Sequence, residues 1–315
     1  MANSIKISQL IFVFIAFQAC TAEYSLRLTS APEPLASDVP SESPPNGDPT
    51  SGAPAPAPPA PPANPTPVVC DPFAAGNIIA AENGLKAELF AIADPNEAWQ
   101  VSQSKAYQTP ARKIDLEVFV SDLNVPSRRW SNGFATTGGQ RLKVVKNGVE
   151  EDLVEWFGLK FVSSLKFSET GYVQLAVISD DGVTVDVIEP GQEKRTLFEV
   201  EGFHPPKLKV AKQFLDFTAA NRRIPIEVNY FQGPRFHISL VLLYRVFSTA
   251  EDAHLAEKLD EKGHFETEFF WDSSVYPSIP TANYNSLLER GWKPLRAENF
   301  LLQEGTNRCF MESGR

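Results

Sequence analysis

The sequence is poor in the residues that most catalytic and metal sites use: 3 cysteines, 2 methionines and 4 histidines in 315 residues. The histidines, His204, His237, His254 and His264, fall in no His-Glu-x-x-His or comparable zinc spacing, so they read as solvated or core-edge residues. There is no Gly-x-Ser-x-Gly elbow, no phosphate-binding P-loop and no Gly-x-Gly-x-x-Gly fingerprint, which removes the nucleophile-elbow hydrolases and the common nucleotide-binding folds. Basic residues are in deficit, Lys+Arg 29 against Asp+Glu 39 for a formal net charge of -10, and that balance argues against a nucleic-acid surface or a polybasic lipid-binding face. The apolar run Leu10 to Phe17 is too short to cross a bilayer, which takes about 20 residues.

What is present at the N-terminus is an export signal. Lys6 supplies the positive charge and Leu10 to Phe17 (LIFVFIAF) the apolar region of a signal peptide over residues 1–19, ending at the small Ala19. The Cys20 that follows resembles the lipid-modified cysteine of bacterial lipoproteins, and Thr21 after it resembles outer-membrane rather than inner-membrane members. The alternative is ordinary secretory cleavage with Cys20 a plain thiol. Residues 20–69 are dominated by Pro, Ala and Ser with scattered acids, Tyr24 being the one aromatic. Such a composition builds no core, and its densest run, Ala53 to Pro67, reads as polyproline II of about 3.1 Å per residue, a tether on the order of 100 Å. Setting Cys20 aside leaves Cys70 and Cys309, an even pair that an oxidising compartment would join as a disulfide; two unpaired buried thiols are the alternative.

With 43% hydrophobic and 11% aromatic residues, the remainder can bury a sizeable core. From Gly84 the pattern turns to short alternating segments: Leu85 to Phe90, Leu116 to Val120, and Arg141 to Lys146 followed by an Asn147-Gly148 hairpin turn and Val149 onward. Further strands are expected over Leu153 to Phe161, Leu165 to Phe167, Tyr172 to Ile178, Val183 to Ile188, Thr196 to Val200, Ile224 to Phe231 and Phe236 to Val246. About ten short strands predict an all-β antiparallel sandwich or barrel over residues 70–247. Residues 248–315 read as an extension packing on the sandwich, with one short helix started by Ser248-Thr249-Ala250-Glu251 and stopped at Gly263, then an irregular aromatic-rich tail.

The chemistry-bearing stretch is Gly171-Tyr172, a strand, then Ser179-Asp180-Asp181-Gly182-Val183. Together with Gly84 to Phe90, Trp156-Phe157-Gly158 and Tyr230-Phe231-Gln232-Gly233, it resembles the PA-fourteen domain family, named from anthrax protective antigen and including the sugar-binding domains of yeast flocculins. The resemblance covers about residues 84–246 and implies a β-sandwich. In flocculin-like members the two aspartates are joined by a cis bond and grip calcium, aided by an Asn after a later strand. Carried to this chain, the resemblance implies Asp180 and Asp181 as calcium ligands, with Gln232 at the Asn position. Gln keeps the carbonyl oxygen on an arm one methylene longer. Two carboxylates and one amide fall short of the six to eight oxygens that calcium takes, so backbone carbonyls near Gly233 or Arg235 would complete the shell.

Two readings of Asp180-Asp181-Gly182 stand side by side: a calcium site whose open face takes vicinal sugar hydroxyls, and an ordinary turn whose aspartates bond the backbone while Gly takes positive φ. The first makes the chain an envelope-anchored, adhesin-like carbohydrate-binding lipoprotein, exported to the outer membrane or cell surface, with a glycan or surface polysaccharide as partner and no nucleic acid. The second leaves a structural or protein-interaction lipoprotein of the envelope with no sugar or metal dependence. Carboxylate pairs for glycoside hydrolysis need not be adjacent in sequence. Residues 248–315 are nevertheless too few for the usual sugar-cleaving folds, so the expectation is a protein that is not an enzyme.

Overall fold

The computed structural model describes residues 26–27, 68–70, 82–92, 107–109, 112–135, 141–146, 149–234, 236–260, 269–302 and 306. The signal, Cys20, most of the tether, the Asn147-Gly148 turn, Gly263 and Cys309 lie outside the described residues. In chain order the strands are β1 (Leu26–Arg27), β2 (Val68–Cys70), β3 (Leu85–Ala91), β4 (Lys113–Val120), β5 (Asn124–Arg129), β6 (Lys143–Lys146), β7 (Val149–Asp152), β8 (Phe157–Leu165) and β9 (Tyr172–Asp180). They continue as β10 (Val183–Val187), β11 (Arg195–Val200), β12 (Lys207–Asp216), β13 (Ile224–Gln232) and β14 (His237–Phe247), followed by helix α1 (Ala250–Asp260). The extension adds β15 (Trp271–Asp272), β16 (Ile279–Pro280), helix α2 (Ala282–Glu289), β17 (Lys293–Pro294) and β18 (Phe300–Leu301).

Two sheets face each other. An 8-stranded sheet runs β11-β10-β13-β8-β3-β4-β2 with β18 also paired to β8, and a 5-stranded sheet runs β12-β9-β14-β17 with β5 also paired to β14. Pairing within them is antiparallel apart from β2 with β4. Alternate residues of facing strands fill the space between: Leu85 and Leu89, Leu159 and Phe161, Val183 and Val185, and Val228 and Tyr230 from one sheet meet Leu175 and Val177, and Leu240 and Leu242, from the other. The outer face of the larger sheet carries ion pairs across neighbouring strands, Lys113 with Glu88, and Glu227 with both Lys160 (3.3 Å) and Lys194 (2.8 Å), while Phe90, Phe119 and Phe231 on that face are buried in two small separate clusters.

The smaller sheet is covered on both faces. Ala176 and Ile178 of β9, with Val241 and Leu243 of β14, form a second core with Phe270, Trp271, Tyr284, Leu287 and Trp292 of the extension. This explains why both strands read as near-continuous apolar runs rather than alternating ones. One polar pair is sealed into that layer: Arg245 donates from Nε (2.9 Å) and Nη2 (2.7 Å) to Gln174 Oε1, and its guanidinium stacks 4.5 Å from the Trp292 ring.

Several elements differ from the sequence expectation. The two strands expected over Leu153 to Phe161 and Leu165 to Phe167 are the single β8, whose Ser163 hydroxyl donates to the Gly84 carbonyl (2.8 Å), so a polar dipeptide sits inside a strand. Strand β5 carries Pro126 and pairs with β14 alone, the edge position where a missing N–H is tolerated. Strand β12, with Lys207, Lys209 and Lys212, is also an edge, and its register slips between Val210 and Phe214. Helix α1 is capped one residue later than expected, Thr249 Oγ1 accepting from the Asp252 N–H at 3.1 Å. Helix α2 was not expected at all. No helix among the described residues is long and apolar enough to cross a membrane.

Candidate functional site

Three connections pass from one sheet to the other at the same end of the sandwich: Asp181-Gly182 between β9 and β10, residues 201–206 between β11 and β12, and residues 233–236 between β13 and β14. Asp181 is where they meet. Its Oδ1 accepts the His204 N–H at 3.0 Å and its Oδ2 accepts the Gly233 N–H at 2.8 Å, so one carboxylate ties the other two crossings to its own. The Phe231 N–H donates to the Gly182 carbonyl at 3.0 Å and adds a backbone link. Asp180 closes β9 opposite Ser239 of β14, and the peptide joining Asp180 to Asp181 is cis.

Both glycines at this corner are dictated by aromatic rings rather than by positive φ. A Cβ on Gly182 would lie 2.1 Å from the Phe231 ring, and one on Gly233 would lie 2.1 Å from the Phe203 ring and 3.1 Å from Asp181 Oδ2. Gly182 is not in a positive-φ conformation, and β9 and β10 belong to different sheets; Asp-Asp-Gly is therefore a corner between layers that has the backbone-bonded aspartate of an ordinary turn but not its positive-φ glycine. Phe203 meets Phe231 edge-on at 5.7 Å and Trp156 edge-on at 6.1 Å, an aromatic floor continued by Phe90, Ile92 and Tyr107.

The structure brings Asp180, Asp181 and Gln232 together, each 3% exposed or less. Among the described residues neither aspartate pairs with a lysine or arginine. Burial pushes both carboxyls above the ordinary carboxylate range. At Asp180 the neighbouring Asp181 charge adds to burial and a hydrogen bond from Gln232 opposes it; at Asp181 the two backbone N–H donors oppose it. Gln232 is held in one orientation: its Nε2 donates to the His237 carbonyl at 2.9 Å, while the Tyr230 hydroxyl bonds its Oε1. The opposite orientation would set Oε1 against the His237 carbonyl, two acceptors face to face. Gln232 thus turns its nitrogen toward Asp180, and the carbonyl oxygen that a ligand role would use is engaged by Tyr230. Tyr230 also reaches the Asp180 carbonyl, but its single proton can serve only one of the two acceptors.

Two adjacent buried carboxylates with no lysine or arginine partner among the described residues form a donor set that suits a hard divalent cation, and burying such a pair uncompensated is expensive. Among the described residues no group of three or more His, Cys, Asp and Glu side chains converges, so a cation at this corner would draw its remaining oxygens from backbone carbonyls, water or a bound hydroxyl compound. Arg235, whose carbonyl the sequence reading nominated, lies outside the described residues. Sequence reasoning missed Tyr230, His204 and Phe203 as parts of the corner; Tyr230 stood inside the quoted motif, but nothing in Gly202-Phe203-His204-Pro205 signals contact with an aspartate 23 positions earlier.

No family model matches the chain, and no curated protein matches it. Among solved structures it is similar to a PA14 sugar-binding domain from an RTX adhesin, at 19% identity and a TM-score of 0.37, over 52% of this chain and 90% of that one. It is also similar to the epithelial adhesin 6 A domain from Candida glabrata in complex with Galb1-3GlcNAc, at 14% identity and a TM-score of 0.38, over 55% of this chain and 84% of that one. A third similarity is to the PA14 domain of the MpAFP antifreeze protein, at 10% identity and a TM-score of 0.36, over 53% of this chain and 84% of that one.

Proposed function

We propose that this chain is a glycan-binding, adhesin-like module rather than an enzyme, anchored to the envelope through a lipid on Cys20, displayed on residues 20–69, and recognising sugar through a calcium ion held by Asp180 and Asp181. The observation that carries the reading is the corner itself: two vicinal carboxylates, both buried, and unpaired with any lysine or arginine among the described residues. A bound calcium would supply positive charge and open coordination positions for a pair of sugar hydroxyls. The chain's own part is to fix the pair. His204 and Gly233 N–H groups orient Asp181, the Phe203 and Phe231 rings over the two glycines keep the three crossings in place, and Gln232 orients Asp180.

Calcium binding to the folded state alone stabilises it by RT ln(1 + [L]/Kd), about 2.7 kcal/mol at a hundredfold excess over Kd. The test is a calcium titration followed by thermal unfolding, joined to a glycan array probed with and without chelator. A rise in Tm with chelator-sensitive glycan binding supports the reading. Absence of both would return the corner to a structural joint and the chain to a protein-interaction role. The anchor is tested by feeding cells a fatty-acid analogue, which should label wild type and not Cys20→Ser.

A further inference from the structure

A second charged cluster lies outside every motif read from the sequence. Arg128, near the end of β5, is only 2% exposed and stands in register with Ile238 of β14, a residue of the main core. The β15–β16 hairpin packs against β5, and the hydroxyl of Tyr276, in the tip of that hairpin, accepts a hydrogen bond from Arg128. Arg141 donates to the same hydroxyl, and its guanidinium lies 5.3 Å from the centre of the Tyr276 ring. Arg141 is itself held by an ion pair with Asp152, and Gly133 leaves room for both, since a Cβ there would lie 3.4 Å from Arg141 Cδ and 3.3 Å from Asp152 Cβ. Two guanidiniums thus converge on one neutral oxygen.

The arrangement is costly to the cations. Burial draws the Arg128 guanidinium down to about 10, Tyr276 and Tyr230 oppose that, and the neighbouring Arg141 charge adds to it. An anionic oxygen in place of the hydroxyl would add the attraction of opposite charges in a site of low dielectric, and the guanidinium fork matches a carboxylate or sulfate with paired bonds. Tyr276 is the removable part. The tip from Ser274 to Pro277 is exposed, Tyr276 itself 38%, whereas Phe270 and Trp271 at the base of the hairpin are buried in the second core. A side chain on such a tip can swing out without disturbing the packing beneath. Arg128 and both aspartates of the corner act electrostatically on Tyr230, so the two sites belong to one end of the sandwich.

We infer that Arg128 and Arg141 form an anion subsite covered by Tyr276, and that a carboxylate or sulfate group of the ligand takes the place of the Tyr276 hydroxyl. Resting on the glycan reading above, this makes the ligand an acidic glycan, one that carries uronate carboxylates or sulfate esters. Elsewhere a formal net charge of -10 repels such a polyanion, so its recognition depends on this place.

The experiment uses the full chain with calcium chelated, and follows Tm as sodium sulfate is added, against sodium chloride of equal ionic strength. Sulfate is expected to raise the Tm of wild type in a saturable way. Arg141→Gln should weaken sulfate binding roughly tenfold, and Tyr276→Phe, which removes only the competing hydroxyl, should tighten it roughly fivefold. A Tyr276 that served structure alone would lower Tm in Tyr276→Phe and leave the sulfate response as in wild type. That result, or equal effects of sulfate and chloride on wild type, overturns the subsite and leaves the calcium reading intact. A rise linear in sulfate and alike in all three proteins is the general effect of an excluded salt, an adventitious ion only, and overturns it too. On a glycan array in calcium, wild type should bind uronate-bearing or sulfated oligosaccharides more tightly than their neutral counterparts, and Arg141→Gln should lose that preference. Sulfate binding without the preference overturns the acidic-glycan assignment. Sulfate binding by a chain that takes no sugar overturns the glycan reading and leaves the anion subsite standing.

Discussion

The ring of Phe231 lies over Gly182 so closely that a methyl group there would come within 2.1 Å of a ring carbon, and this contact joins the β9–β10 corner to β13. Because the backbone at Gly182 does not require positive φ, the demand for glycine is purely steric. Gly182→Ala should destabilise the fold by about 1–3 kcal/mol, the range for overpacking, and weaken calcium binding by displacing the adjacent aspartates. Combining it with Phe231→Leu should recover part of the loss. Urea unfolding of both single variants and the double variant measures the coupling; strict additivity would show that the ring is not what excludes the side chain.

Replacing either aspartate by asparagine keeps shape and one oxygen but removes a charge, so calcium affinity should fall steeply in Asp180→Asn and in Asp181→Asn. Gln232→Ala should weaken binding less, because a neutral carbonyl is the ligand most easily replaced by water and the amide is already held by its Nε2 bond to the His237 carbonyl. Titration calorimetry of the three variants gives the order directly. A Gln232→Ala loss as large as either aspartate loss would mean that the amide turns over when the ion arrives.

The outer face of the larger sheet offers a pH test that is independent of the corner. Burial tends to raise the Glu227 pKa, but Lys194, Asn229 and Lys160 outweigh it, and the group sits below its ordinary 4.5. A carboxyl depressed in the folded state contributes stability that is present above its unfolded pKa and is lost as pH falls through the folded value. Glu227→Gln should therefore flatten the acid limb of the stability profile below about pH 4.5 while leaving the slope near neutrality unchanged. Since Lys194 is largely solvated, the effect should shrink in high salt. Chemical denaturation at a series of pH values, in low and high salt, checks both signs.

The parts of the fold legible in the sequence are those where apolar and polar residues alternate along a strand, even where single rings such as Phe90 and Phe119 are covered on the outer face. Leu85 to Phe90 and Leu116 to Val120 alternate, and they are strands. Strand β12 was hidden because its lysines and its register slip break the alternation, and β5 because Pro126 reads as a breaker until its edge position is known. Only the family resemblance relates Asp180, Asp181 and Gln232 in the sequence, since no local pattern connects positions 180 and 232. What no local pattern supplies is the orientation of the Gln232 amide, which depends on Tyr230 and on the His237 carbonyl, or the contact of Phe269 with His237, which depends on how the extension folds back.

The last expectation concerns Cys70 and Cys309. Cys309 and the Cys70 side chain lie outside the described residues, yet the surrounding elements set the geometry of the question. Cys70 stands in register with Phe119 of the parallel β2–β4 pair, and Phe119 is buried against Leu302, with Val68 packed on the same cluster. The chain thus enters its final segment beside the strand that carries Cys70, and the seven residues from Leu302 to Cys309 can span up to about 25 Å. Closing so long a loop restricts the unfolded chain by about 4–5 kcal/mol in the chain-entropy model. Non-reducing peptide mapping of exported protein should find the two cysteines in one linked species. Reduction, or Cys309→Ser, should lower Tm and frees the C-terminal segment first, so hydrogen exchange at Phe300 to Leu302 should rise before exchange in β9 and β14. Two free thiols in the folded, exported protein would end the idea.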